Sequence, residues 1–299
     1  MSRLVVIGSL IGDQMMTVPH LPERGGDVLA GPVEAQPGGA FNIVAAAARL
    51  GMPTVVAGRI GDGPVGDMLA SALTSLGVDV LLPRATDGDS GTSIGFIEPD
   101  GERTFVTSPG VEQTITPADL ASVAWRADDS VYVSGYDLLY PATGPAVAAW
   151  LTAFRPATLL VDPGPLIAEV PGDVLAAVLA ATTVFSLNER EVQLLGGLDA
   201  VWPLLTRADA VIVVRAGAEG AWLHRKRQAP LHVPGHRVTV VDTTGAGDTH
   251  AGALLALLAD GLPIAEALRR ANVAAALAVA VRGSATAPTK EALSVALQG

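Results

Sequence analysis

The 299-residue sequence has no cysteine, only two lysines, and aromatic residues that make up just 4% of it. Without cysteine, disulfides, thiolate-bound zinc and thiol nucleophiles are excluded, and a reducing compartment is permitted. Neither lysine, Lys226 nor Lys290, follows a glycine turn in the G-x-x-x-x-G-K-[ST] arrangement, which excludes a P-loop nucleotide site. Charge is sparse too: charged residues are 16% of the chain, and 30 acidic against 19 basic side chains leave a net charge of -11. That sign repels phosphate backbones and anionic lipid, so neither nucleic acid nor a membrane surface is expected as a partner. The longest unbroken apolar run, Val273 to Val281, falls well short of the roughly 20 residues needed to span a bilayer. The opening run Leu4-Val5-Val6-Ile7 is too short for a secretion signal and reads as a buried strand, so a cytoplasmic protein is expected.

What the chain does have is apolar mass, 49% hydrophobic, broken up by 33 glycines and 21 prolines. Short β-branched runs at 4–8, 54–58, 130–133, 158–161, 183–186 and 210–214 alternate with Ala/Leu-rich stretches at helical spacing. The latter are near 40–50, 65–76, 142–153, 172–181, 198–206, 246–259, 263–281 and 289–297. This alternation predicts an α/β fold: a doubly wound, mainly parallel sheet flanked by helices, in a single domain over 1–299. Two segments, 13–36 and 91–108, break the pattern. In the second, strand-like runs flank Pro99-Asp100-Gly101, a hairpin signal, and together the two predict a small β-sheet lid.

The segment Val240-Val241-Asp242-Thr243-Thr244-Gly245-Ala246-Gly247-Asp248 runs from strand-like residues through a Gly-Ala-Gly turn into a helix. The free N–H groups and dipole of such a helix start form an anion hole. Asp248 stands inside it, either as a simple cap or as a base that takes a hydroxyl proton while the N–H groups hold a phosphoryl group. Gly38-Gly39 precedes a helix whose first turn carries Phe41 and Asn42, and the Asn42 amide could cap it or bind a polyol. Asn188 and Glu191 lie three apart after an apolar strand, a spacing suited to a hydrated Mg²⁺ and its phosphates or, more blandly, to a solvated first turn.

These blocks together resemble the ribokinase-like (PfkB-type) carbohydrate kinases. G-G-x-x-N, N-x-x-E, the G-x-x-G loop in Arg215-Ala216-Gly217-Ala218-Glu219-Gly220, and D-T-x-G-A-G-D occur in the family's order along essentially the whole chain. Shorter matches are Asp100-Gly101-Glu102-Arg103-Thr104-Phe105, Ser134-Gly135-Tyr136 and Asp162-Pro163. The resemblance implies an ATP-dependent sugar kinase with Asp248 as general base and Gly245, Ala246 and Gly247 as the hole around the transferring group. It places Asp13, Gly38, Gly39 and Asn42 on the acceptor. Asn188, Arg215, Gly217, Gly220 and Asn272 fall on the nucleotide side, and Glu191 on Mg²⁺. Asp242 and Thr244 are similar to positions that hold an activating monovalent cation such as K⁺. A homodimer joined through the lid is implied as well.

Several departures bear on the acceptor. Gly38-Gly39-Ala40-Phe41-Asn42 is shorter than the ribokinase G-G-K-G-A-N and lacks its lysine, which puts ribose in doubt. Asp162-Pro163-Gly164-Pro165-Leu166 lacks the Asn and Arg of D-x-N-x-R, which argues against an acidic sugar. Phe41 could stack on a sugar face or a base, so a nucleoside acceptor stays open. His250 occupies a place where the family usually has an aromatic residue. A rival reading is an NAD-dependent oxidoreductase, because Gly61-Asp62-Gly63-Pro64-Val65-Gly66 is a literal G-x-G-x-x-G with Asp79 downstream.

Overall fold

A computed structural model describes residues 2–298. The first half contains β1 (Leu4–Ile7), β2 (Leu10–Thr17), β3 (Glu34–Gly39), α1 (Phe41–Arg49), β4 (Thr54–Val56), α2 (Pro64–Ser75), β5 (Asp79–Val80), β6 (Thr92–Ile97), β7 (Arg103–Ser108), α3 (Pro117–Ser122), β8 (Ser130–Ser134), α4 (Gly135–Leu139) and α5 (Thr143–Ala153). The second contains β9 (Thr158–Asp162), α6 (Gly172–Ala181), β10 (Val184–Asn188), α7 (Glu189–Leu194), α8 (Leu198–Val201), β11 (Val211–Arg215), β12 (Gly220–Arg225), β13 (Leu231–Pro234), α9 (Ala246–Ala259), α10 (Ile264–Val279) and α11 (Lys290–Ala296).

Nine strands form the main sheet in the order β13-β12-β11-β10-β9-β8-β1-β4-β5. Pairing is parallel from β5 through β11 and antiparallel in the β11-β12-β13 meander at the edge. Burial on both faces makes its strands continuously apolar. In β1, Leu4 and Val6 enter the core beneath α1, α9 and α10, while Val5 and Ile7 enter the core beneath α5 and α6. The same alternation splits Val211 and Val213 from Ile212 and Val214 in β11. After β1 the chain builds outward to β4 and β5, then returns to the other side of β1 with β8. Doubly wound sheets open a crevice at the carboxyl ends of their strands where the order reverses.

The lid expectation corresponds to a second sheet, β3-β2-β6-β7. The Asp100-Gly101 turn joins β6 to β7, with Gly101 at φ 87° and Glu98 N–H donating to Glu102 O at 3.0 Å. Within 13–36, strands occupy only the ends, and residues 18–33 between β2 and β3 carry no regular element.

Other expectations need correction. The helix expected over 198–206 stops at Val201, two residues before Pro203, whose ring and missing N–H cannot continue it. The β12-β13 hairpin was not expected. Val240 and Val241 form no strand: β13 ends at Pro234, and these valines are 58% and 59% exposed on the approach to α9, where Val241 N–H donates to Val279 O at 2.8 Å.

Candidate functional site

β8, β9, β10 and β11 all run in the same direction, so their last residues share one edge: Ser134 pairs in register with Asp162, and Asn188 with Arg215. Across the crevice stands the start of α9. Gly245 precedes it in the left-handed region (φ 70°), a conformation that turns the chain sharply into the helix and favours glycine. Ala246 N–H turns back to Thr243 O at 3.2 Å, so Ala246 lines the site without offering a free donor. Among the described residues, the N–H groups of Gly245, Gly247 and Asp248 take no protein acceptor. The free N–H groups of this helix start are therefore those of Gly245, Gly247 and Asp248, not that of Ala246.

α1 packs against α9 closely enough that a Cβ on Gly252 would lie 2.7 Å from Ile43 O. This contact sets Asn42 beside Asp248. Asn42 Nδ2 donates to Asp248 Oδ2 at 3.1 Å while its Oδ1 accepts from Ala285 N–H at 3.0 Å, so the amide orientation is fixed from both ends. The other Asp248 oxygen has no hydrogen-bond partner among the described residues. Burial, with the nearby Asp162 charge, pushes the Asp248 carboxyl up to about 6 despite the opposing Asn42 bond and Arg215 charge.

Asp13 reaches in from β2, lies against Gly38 of β3, and receives no hydrogen bond among the described residues. Burial, then the Asp248 charge, raises it to about 7. It joins Gly39, Asn42 and Asp248 around a cavity of about 390 Å³, whereas Gly38 stays behind Asp13 outside the lining. Phe41 is withdrawn into the core at 6% exposure, so the stacking expected of it does not occur. Phe105 of β7 and all three tyrosines, Tyr132, Tyr136 and Tyr140, supply the aromatic wall instead. Their clustering at four-residue intervals was the signal in the sequence that could have found them.

A second cavity, of about 490 Å³, is lined by Gly217, Gly220, Asn272 and Arg215, four of the five residues expected on the nucleotide side. The fifth, Asn188, lines neither cavity: its amide accepts from Glu191 N–H at 2.9 Å and donates to Glu191 Oε1 at 2.8 Å in a capping box. Glu191 does line the first cavity, and burial with the Asp162 charge raises it to about 6. His250 is buried, its Nε2 faces Asn272 Oδ1 at 3.1 Å, and desolvation drops it to about 3, so the ring is neutral. Asp242 is paired with Arg103, and its carboxylate accepts Thr244 N–H at 2.9 Å and Gly283 N–H at 3.0 Å.

The oxidoreductase reading fails on geometry. The α2 N-terminus that would hold a pyrophosphate is filled by the chain's own Asp89, whose carboxylate accepts Val65 N–H at 2.9 Å and Gly66 N–H at 2.8 Å. Gly61 O is taken as well, by the Arg84 guanidinium.

Residues 1–291 match the family model described as pfkB family carbohydrate kinase. The uncharacterized sugar kinase YegV of Escherichia coli is 34% identical over 302 residues, covering 98% of this chain and 93% of that protein. The ATP-dependent ribose-1-phosphate kinase of Halopiger xanaduensis is 29% identical, over 99% of this chain and 98% of its own. Among solved structures, the ribokinase of Thermotoga maritima superposes with a TM-score of 0.82 over 100% of both chains at 21% identity, a likeness of fold. The open helix start, the carboxylate beside it and the two adjoining cavities thus sit in a chain that belongs to the pfkB family of carbohydrate kinases, phosphotransferases with an alcohol group as acceptor.

Proposed function

We propose that this enzyme transfers the γ-phosphoryl group of ATP to a hydroxyl of a small, uncharged carbohydrate, with Asp248 as general base. The observation that carries this reading is the junction at the start of α9. There a carboxylate oxygen without a partner and N–H groups without acceptors stand side by side, where the two cavities meet. Phosphoryl transfer needs a positioned acceptor and neutralised charge more than covalent help, and this junction suits both. Asp13 and Asn42 would hold acceptor hydroxyls, and Gly217, Gly220 and Asn272 the nucleotide.

Four carboxylates, Asp13, Asp162, Glu191 and Asp248, line the acceptor cavity against two guanidiniums, Arg103 and Arg215, both already paired. That balance favours a neutral polyol over a phosphorylated or carboxylated sugar. A nucleoside is the second reading, supported by Phe105 and the tyrosines as a surface on which a base could stack. Mg²⁺ binds one or two carboxylates plus phosphates and keeps several waters, and Glu191, which lines the acceptor cavity while its oxygens also accept from Asn188, would be its carboxylate. When bound, it would neutralise phosphate charge. The small sheet would close as a lid over the acceptor. Its edge strand β7 leaves Val106, next to the cavity-lining Phe105 and so on the opposite face of the strand, 59% exposed, which supports a homodimer through this edge.

The test is a coupled ADP-release assay with Mg-ATP across ketoses, aldoses, sugar acids and nucleosides, with Asp248→Asn as the blank. Release that depends on one neutral sugar and vanishes in the blank is expected. Release with a sugar acid alone would overturn the substrate class, and release that persists in the blank would remove Asp248 as base.

A further inference from the structure

The two cavities share a wall made of Arg215, Thr243, Ala246 and Gly247. A group passing from the nucleotide to the oxygen beside Asp248 crosses at this wall, and Arg215 is the one charged residue in it. Arg215 ends β11, so its backbone is fixed by the sheet, and its side chain is only 13% exposed. Nη1 donates to Asp162 Oδ2 and to Ser186 Oγ, both at 2.6 Å, and Nη2 lies 3.5 Å from Glu191 Oε2. Those partners hold one side of the guanidinium. The other side faces the anion hole: from the point where a Cβ on Gly247 would stand, Cζ, Nε and Nη2 are each 3.7 Å away. Nε–H donates to no acceptor among the described residues.

We infer that Arg215 is a catalytic residue, its guanidinium touching the phosphoryl group in transit opposite the free N–H groups of Gly247 and Asp248; this rests on the kinase reading above. In the step, the bond from γ-phosphorus to the β–γ bridging oxygen breaks and ADP leaves with the electron pair. A bond from phosphorus to the acceptor oxygen forms, and the hydroxyl proton passes to Asp248. Arg215 forms no covalent bond; it opposes the charge that spreads over the phosphoryl oxygens. Neither lysine lines these cavities; Arg103 lines the first alone and is paired with Asp242, Arg237 lines the second alone, and Arg215 is the cation common to both. The carboxylates around it keep it oriented and raise its proton affinity against the opposing effect of burial.

A purely structural Arg215 would only neutralise Asp162 and Glu191, and the experiment separates the two roles. Calorimetry would measure Mg-ADP and Mg-ADP with tetrafluoroaluminate, a mimic of the phosphoryl group in flight, on wild type, Arg215→Lys and Arg215→Gln. Turnover and the KM for ATP would be read on the same proteins. A contact made in transit predicts that both variants bind Mg-ADP within about threefold of wild type, lose the tetrafluoroaluminate enhancement, and drop in kcat by about 100-fold or more. Equal losses for both ligands would make Arg215 a ground-state nucleotide ligand, and an intact enhancement in Arg215→Gln with near-normal kcat would make it structural; either overturns the inference. Should Arg215→Gln fail to fold because Asp162 is left buried and unpaired, the double variant with Asp162→Asn removes that charge and takes its place. A wild-type chain that binds Mg-ADP yet turns over no acceptor would sink the kinase reading, while the tetrafluoroaluminate comparison would still decide Arg215.

Discussion

Two helices begin after glycine-rich turns, α2 at Gly61–Gly66 and α9 at Gly245–Gly247, and the sequence offers each as an anion site. The fold fills one and leaves the other open. At α2, Asp89 folds back from a loop and satisfies the first-turn N–H groups, and three backbone bonds, from Val65, Gly66 and Ser90, outweigh the cost of burial and hold its carboxyl below the usual range. At α9, no side chain among the described residues caps the turn, and the carboxylate on the helix itself points to a cavity instead of to its own backbone. A glycine turn before a helix is therefore only an opportunity. Whether a ligand or the protein supplies the anion depends on what the rest of the chain brings there.

The sharpest way to break this comparison is to remove the two carboxylates in turn. Asp248→Asn should leave nucleotide binding nearly intact and lower kcat about 100-fold or more, as expected for a lost general base. In the wild type, kcat/KM should fall about tenfold per pH unit below about 6, where Asp248 takes up its proton, and level off above. A pH-independent rate between 5 and 7 would remove Asp248 from the rate-limiting proton transfer.

Asp89→Ala should act on the opposite quantity. With three backbone donors left without a carboxylate, unfolding free energy should drop by about 1–3 kcal/mol while kcat stays within about twofold of wild type. Denaturant titration and the coupled assay together check this, and a variant that instead gained NADH affinity would show that the α2 turn is a masked dinucleotide site.

An effect confined to high pH separates Asp13 from both. Its folded-state value of about 7 lies above the ordinary 3.8, so the folded form holds the proton more tightly. That contribution to stability is complete below about pH 4 and lost as pH rises through about 7. Asp13→Asn removes the titration, so it should stabilise the ligand-free enzyme by about 1–3 kcal/mol at pH 8 and by little at pH 4. Thermal unfolding at the two pH values measures the difference, and equal shifts at both would mean that Asp13 is ionised at no cost in the folded chain.

Much of the molecule was legible because it rests on local rules. Strands β1, β4, β8, β9, β10 and β11 and the long helices follow from apolar periodicity, and the β6-β7 hairpin follows from Asp100-Gly101. The site was legible where a motif is contiguous: Asp248 and its glycines, or Asn42 after Gly38-Gly39. It was not legible where contacts join distant segments. Arg103 on Asp242, Arg215 on Asp162 and Asn42 on Asp248 are 139, 53 and 206 residues apart, respectively, and no spacing rule reaches so far. Asn188 and Glu191 show the converse, since their three-residue spacing forms a cap as readily as a metal site.

The sequence by itself determined that this is a cysteine-free, acidic α/β chain with an alternating strand–helix core and one carboxylate set into a glycine-rich helix start. Those properties depend on composition, periodicity and neighbours in the chain. Only the tertiary structure decided that Asp89 closes one helix end while the other stays open, that Phe41 is buried and Phe105 lines the first cavity, and that Arg215 stands between the two cavities. Each of those outcomes depends on which groups meet across the sheet, and a buried polar group must find its partner there, wherever along the chain that partner lies.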